Sequence, residues 1–132
     1  MNLKYFETYL KKEFKGLLPS NLLISNSFAR DKERYSKRIN NVDFDVAYDT
    51  NNLDSSWFSI DVSINENVSF ILTVFYEWDN KKPFNISLFT NGGSLMYYGY
   101  MYFYNGSFKD LKIKDFERYI QFLKVLLKIN KE

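Results

Sequence analysis

The chain has 132 residues, 45% hydrophobic, 26% charged and 20% aromatic, with 13 Phe and 11 Tyr; one domain of this size buries roughly two-thirds of its unfolded surface, and the composition fits neither disorder nor a membrane span. Cys and His are both absent, which excludes disulfides, thiolate nucleophiles, Cys- or His-based zinc sites and Ser-His-Asp or Cys-His catalysis. The net charge of +2, from 18 basic and 16 acidic residues, argues against non-specific nucleic-acid binding.

The first segment places Leu3, Phe6, Leu10, Phe14 and Leu17 at three- and four-residue spacings, with Lys4, Glu7, Lys11, Lys12 and Lys15 on the other side. This pattern predicts an amphipathic helix over residues 2–16, ended by Gly16 and by Pro19, which cannot continue it. Met1 to Lys15 contains no continuous apolar run of the signal-peptide kind, and no window further on reaches the length of a membrane span. A cytoplasmic location is the expectation. Residues 21–28 begin with Leu22, Leu23 and Ile24 and fit either a strand or an irregular packed segment. Residues 29–41 are polar and carry Arg30, Lys32, Arg34, Lys37 and Arg38 on a helical turn or a loop.

From Val42 the period changes to two. Val42, Phe44, Val46 and Tyr48 alternate with Asp43, Asp45 and Asp49, and Phe58, Ile60, Val62 and Ile64 alternate with Trp57, Ser59, Asp61 and Ser63. Both runs predict strands with one wet face, separated by the turn-forming Asp-Thr-Asn-Asn at 49–52. After a turn at Asn65-Glu66-Asn67, a longer strand sets Val68, Phe70, Leu72, Val74, Tyr76 and Trp78 against Ser69, Ile71, Thr73, Phe75 and Glu77. Apolar side chains on both of its faces predict a central position. Phe84, Ile86 and Leu88 mark a short fourth strand, Asn91-Gly92-Gly93 a hairpin, and Leu95 to Tyr104 a fifth strand that Asn105-Gly106 ends with another turn. Ile113, Phe116, Ile120, Leu123 and Leu127 form a final helical stripe over residues 111–130.

Connections this short force sequential antiparallel neighbours, because parallel pairing needs a crossover of about a dozen residues or more. The predicted fold is a single α+β domain over residues 1–132. It is an antiparallel β-meander of about five strands with N- and C-terminal amphipathic helices packed on one face.

Strand parity then defines the candidate functional surface. With Leu95, Met101 and Phe103 turned to the helices, Tyr98, Tyr100, Tyr102 and Tyr104 form a ladder on the opposite face, joined by Trp57, Ile71, Phe75 and Phe89. A patch of this kind exceeds what monomers ordinarily expose, and Tyr and Trp are enriched at binding hot spots. Tyrosine also suits the wet face of an ordinary strand, so the same pattern fits a surface with no partner. Arg30, Lys32, Arg34, Lys37 and Arg38 are candidate charged contacts to phosphate or to an acidic partner, although Asp31 and Glu33 interleave with them as on any solvated face.

Asp43, Asp45, Asp61 and Glu77 are the carboxylates a small metal-dependent enzyme would use, but no matched base or fixed further ligand accompanies them. Outward Asp on a strand also guards against aggregation. Asn91-Gly92-Gly93-Ser94 lacks the Lys-Ser/Thr ending of a phosphate loop. No catalytic residue, metal or cofactor is expected. The leading expectation is a non-enzymatic binding protein, of the toxin-immunity or phage anti-defence kind, that docks on a larger protein through an aromatic sheet face. The alternatives are a single-stranded nucleic-acid binder using the tyrosine ladder and the 30–38 segment, and the carboxylate enzyme. No membrane partner is expected, and a homodimer through an exposed sheet face or edge is compatible with the same layer.

Overall fold

Helical periodicity governs the two flanks of the chain and strand periodicity its middle. The computed structural model describes residues 1–18, 33–49, 56–77, 82–92 and 100–128. In chain order these form α1 (Leu3–Glu13), β1 (Glu33–Ile39), β2 (Val42–Asp49), β3 (Ser56–Asn65), β4 (Val68–Tyr76), β5 (Pro83–Asn91), β6 (Tyr100–Ser107) and α2 (Ile113–Leu126). The strands make one six-stranded antiparallel sheet in sequential order, the meander expected from the short connections.

The sheet has six strands and not five, because part of the polar stretch pairs. β1 is joined to β2 at Ile39 and Val42 by Asn40 and Asn41, whose φ angles are 50° and 67°. Two consecutive left-handed residues make the tight hairpin turn whose twist matches the strands, and Asn tolerates that conformation. The opposite happens at Asn105 and Gly106. They do not turn the chain but pair with Ser87 and Ile86 inside β6. Asn91 pairs with Tyr100, where the described strand β6 begins, and the predicted start at Leu95 falls on residues that are not described. Residues 21–32, the cations Arg30 and Lys32 among them, and Trp78, Asp79, Lys81, Leu95 and Tyr98 lie outside the described residues.

One face of the sheet presents Phe44, Phe58, Ile60, Val62, Leu72, Val74, Ile86 and Leu88, all buried. Helix α1 covers them with Phe6 and Leu10, and α2 with Phe116, Tyr119, Ile120 and Leu123. The Phe6 ring lies 6.4 Å from Phe58, 5.4 Å from Phe108 and 5.2 Å from Phe116, centroid to centroid. Phe14 meets Phe44 at 5.4 Å and Phe122 meets Phe70 at 5.0 Å. Phe44, Phe58 and Phe70 share a sheet face by register, so both helices sit on the same side, as the sequence predicts.

Polar rungs join the helices. The Tyr5 hydroxyl donates to Glu117, Gln121 donates to the Tyr9 hydroxyl and to Glu13, and Lys124 donates to Glu13. Partner numbers rise together along both helices, so α1 and α2 run parallel. Lys124 Nζ is 2.9 Å from Glu13 Oε1, with the two side chains only 9% and 12% exposed. Burial pushes the Glu13 carboxyl up, but hydrogen bonds from Lys124 and Gln121 pull it down, and the net position is below the ordinary value. The hydrogen bond to Glu117, aided by burial, pushes the Tyr5 phenol up to about 12.

Replacing the buried Leu123 by Ala is expected to cost about 2–5 kcal/mol in urea unfolding, through the cavity it leaves. Lys124→Met is expected to cost about 3 kcal/mol by stranding a buried carboxylate, and the double variant Glu13→Leu/Lys124→Met to recover most of that loss. Because the folded-state pKa of Glu13 is depressed, its contribution is complete above the unfolded value of 4.5 and fades as pH falls through the folded value. A stability–pH titration of Glu13→Gln should therefore show a shallower acid limb than the parent protein.

Candidate functional site

The side chains of opposite parity fill the face away from the helices, and register sets them in rows across the strands. One row runs Ser36, Asp45, Asp61, Ile71, Phe89, Tyr102, and so passes from polar to aromatic between β1 and β6. On the polar side Arg38 holds Asp43 at 2.6 Å, Ser36 donates to Asp45, and Ser63 donates to Asp61 at 2.9 Å. Asp45 and Asp61 stand directly opposite each other, an arrangement that like charges disfavour. Serine donors on each soften it.

The aromatic side has two ridges. Ile71, Phe89 and Tyr102 form one, with the Phe89 and Tyr102 rings 5.3 Å apart, and Trp57 opposite Phe75 forms the other. Ile71 and Phe75 are separated along β4 by about 13 Å at the usual strand rise. Between the ridges lies a row of small or polar residues, Ser59, Thr73, Ser87 and Asn105. Ser87 is buried there and its hydroxyl donates to Asn105 Oδ1 at 2.9 Å. Tyr102 is 51% exposed, whereas Trp57, Ile71, Phe75 and Phe89 are half-buried.

The tyrosine ladder is not continuous. Leu88 pairs with Tyr104 but its neighbour Phe89 pairs with Tyr102, so Phe103 is an extra residue in β6. Such a bulge consumes one position and reverses parity beyond it. Tyr104 consequently packs against the core, on the helix side with Leu88, and its hydroxyl donates to the Ser107 carbonyl at 2.7 Å. Phe103 also turns to that side, its ring 5.7 Å from Tyr119. Tyr104 is thus removed from the predicted ladder, Tyr100 pairs with Asn91 at the start of β6, and among the described side chains Tyr102 is its exposed member.

Among the described residues the predicted cations and tyrosines do not converge. Arg34, Lys37 and Arg38 belong to β1, and β1 and β6 are the two edges of the sheet, about 24 Å apart at ordinary strand spacing. Arg38 is engaged by Asp43, and Lys37 turns to the helix side, where it donates to the Gly16 carbonyl at 3.0 Å. Glu77 follows β4 and is exposed. Among the described residues no group of three acidic side chains is placed to hold a metal ion, and no helix is long and apolar enough to cross a membrane.

Sequence reasoning missed a cleft on the helix side of β6. Leu88, Phe103, Tyr104, Tyr119 and Phe122 line about 370 Å³, with Asp115 and Arg118 at the rim. The Tyr119 hydroxyl passes beneath it to the Ile71 and Phe89 carbonyls, each 2.9 Å away, and its single proton is shared between them. Burial holds that phenol well above its ordinary pKa. The signal available in the sequence was the second α2 stripe, Asp115, Arg118, Phe122 and Val125, beside the core stripe.

No protein-family profile matches the chain, and comparisons with curated proteins and with solved structures likewise gave no match. Tyr119→Phe is expected to lower stability by about 1–2 kcal/mol in thermal or urea unfolding, since the helix loses its polar anchor to β4 and β5.

Proposed function

We propose that the chain is a non-enzymatic binding protein that docks on a larger protein through the aromatic half of its open sheet face, in the manner of toxin-immunity proteins and phage inhibitors of host defence enzymes. The observation that carries this reading is the exposed Tyr102 ring packed at a tilt against Phe89, in a row with Ile71. Aromatic area in this position contributes little to the core, which lies on the other face. It matches the composition of binding hot spots, where a few rigid aromatic groups supply most of the affinity.

The two halves of the face have complementary parts in such a contact. Ridges of Ile71, Phe89 and Tyr102 and of Trp57 and Phe75 offer anchors, and the intervening hydroxyls of Ser59 and Thr73 offer hydrogen bonds. The Asp43, Asp45 and Asp61 side forms a polar rim, with its charges already engaged by Arg38, Ser36 and Ser63. Rim charges set orientation and association rate more than affinity.

The test is affinity capture from the native cell followed by mass spectrometry, with the parent chain and a Tyr100→Ser/Tyr102→Ser variant as baits. The variant should fold with nearly unchanged stability and lose the captured protein. Equal capture by both baits would sink the open-face reading.

A further inference from the structure

The helix layer is narrower than the sheet. Helices pack about 8–10 Å apart and strands about 4.8 Å apart, so two helices span about four strands. Among the described residues α1 rests on Phe44 of β2 and Phe58 of β3, and α2 reaches Phe70 of β4 and, through Tyr119, the carbonyls of β4 and β5. Among the described residues the helix side of β6 is covered only in part, by Tyr104 packed against the core and by the contact of Phe103 with Tyr119. Met101 and Phe103 are 51% and 55% exposed there.

Helix α2 stands beside this strand as a wall, and it turns a second stripe outward along it. Asp115, Arg118, Phe122 and Val125 follow one another at spacings of three, four and three residues, which keeps them on one helix face. Three of them border the cleft with Phe103. Phe122 and Val125 are 39% and 64% exposed. In profile the surface is a step, with β6 as the low tread and α2 as the riser. A step is complementary to itself after a half-turn, because each riser then rests on the other tread.

Charge allows the same operation. β6 carries no ionised side chain, and the riser carries one acid and one base, Asp115 and Arg118, 4.0 Å apart and both largely exposed. Two such surfaces meet without forcing like charges together. The opposite edge differs, since β1 presents Lys37 and Arg38, and edge cations discourage strand-to-strand association.

We propose that this step is a self-association surface, in which a second copy related by a twofold axis seats its Phe122 and Val125 over Met101 and Phe103 of the first, and the reverse. Four half-exposed side chains supply on the order of 400 Å² of apolar area per copy, against about 800 Å² per partner in a standard interface. The dimer is accordingly weak and reversible. It uses the helix side, leaves the open face free, and does not depend on the function proposed above.

Sedimentation equilibrium from low micromolar to near-millimolar concentration tests it. The weight-average mass should climb from that of the monomer toward twice that value. Val125→Glu and Met101→Glu, both at exposed positions, should remain monomeric over the whole range with unchanged far-UV circular dichroism, whereas Tyr102→Ser on the open face should still dimerise. A parent chain that stays monomeric throughout overturns the proposal. So does a dimer that survives in both glutamate variants.

Discussion

Everything in this fold depends on the ring of Phe6. It belongs to the first helix, yet it touches Phe58 in the middle of the sheet, Phe108 just past the last strand and Phe116 in the closing helix. A single sheet cannot shield either of its own faces, and the apolar half of this one is buried only because two helices are held against it. Phe6 is where sheet, β6–α2 connection and both helices meet with no solvent between them. The rungs from Tyr5 to Glu117 and from Glu13 to Lys124 then fix how the helices lie relative to one another.

The parts of this arrangement legible in the sequence were those governed by a uniform period. Phe6, Leu10 and Phe14 declare a helix, and Phe58, Ile60 and Val62 declare a strand, because each stripe faces one environment for its whole length. Where a single residue breaks the period, the pattern misleads. Phe103 does so in β6, since parity carried through it puts Tyr104 on the open face when the bulge puts it in the core. Strand β1 escaped for a different reason. Its residues read as a charged loop, and the information that pairs them sits in Asn40 and Asn41, two side chains whose value is a backbone conformation.

The candidate surface was legible to the same degree. Tyr102 and Phe89 follow from alternation alone, and so does the location of Trp57 and Phe75 on the same side. The separation of cations from tyrosines was not, because it depends on which strands are edges and therefore on the count of strands. Nor was the step beside β6. That feature comes from a mismatch in width between a layer of helices and a layer of strands, a quantity that no local window contains.

The parallel course of the two helices has a consequence for how the chain is made. Helices in immediate succession meet antiparallel, through a short loop, whereas Glu13 and Lys124 are 111 residues apart. A ribosome releases the α1 stripe of Phe6, Leu10 and Phe14 long before the stripe that will flank it exists, and the strands must assemble in the interval. Closure between segments so distant in sequence is slow, and it leaves a greasy helix waiting in a crowded milieu. Lys4, Lys11, Lys12 and Lys15 against Glu7 give this segment an excess of positive charge, which favours its staying dispersed until the last turn of α2 arrives.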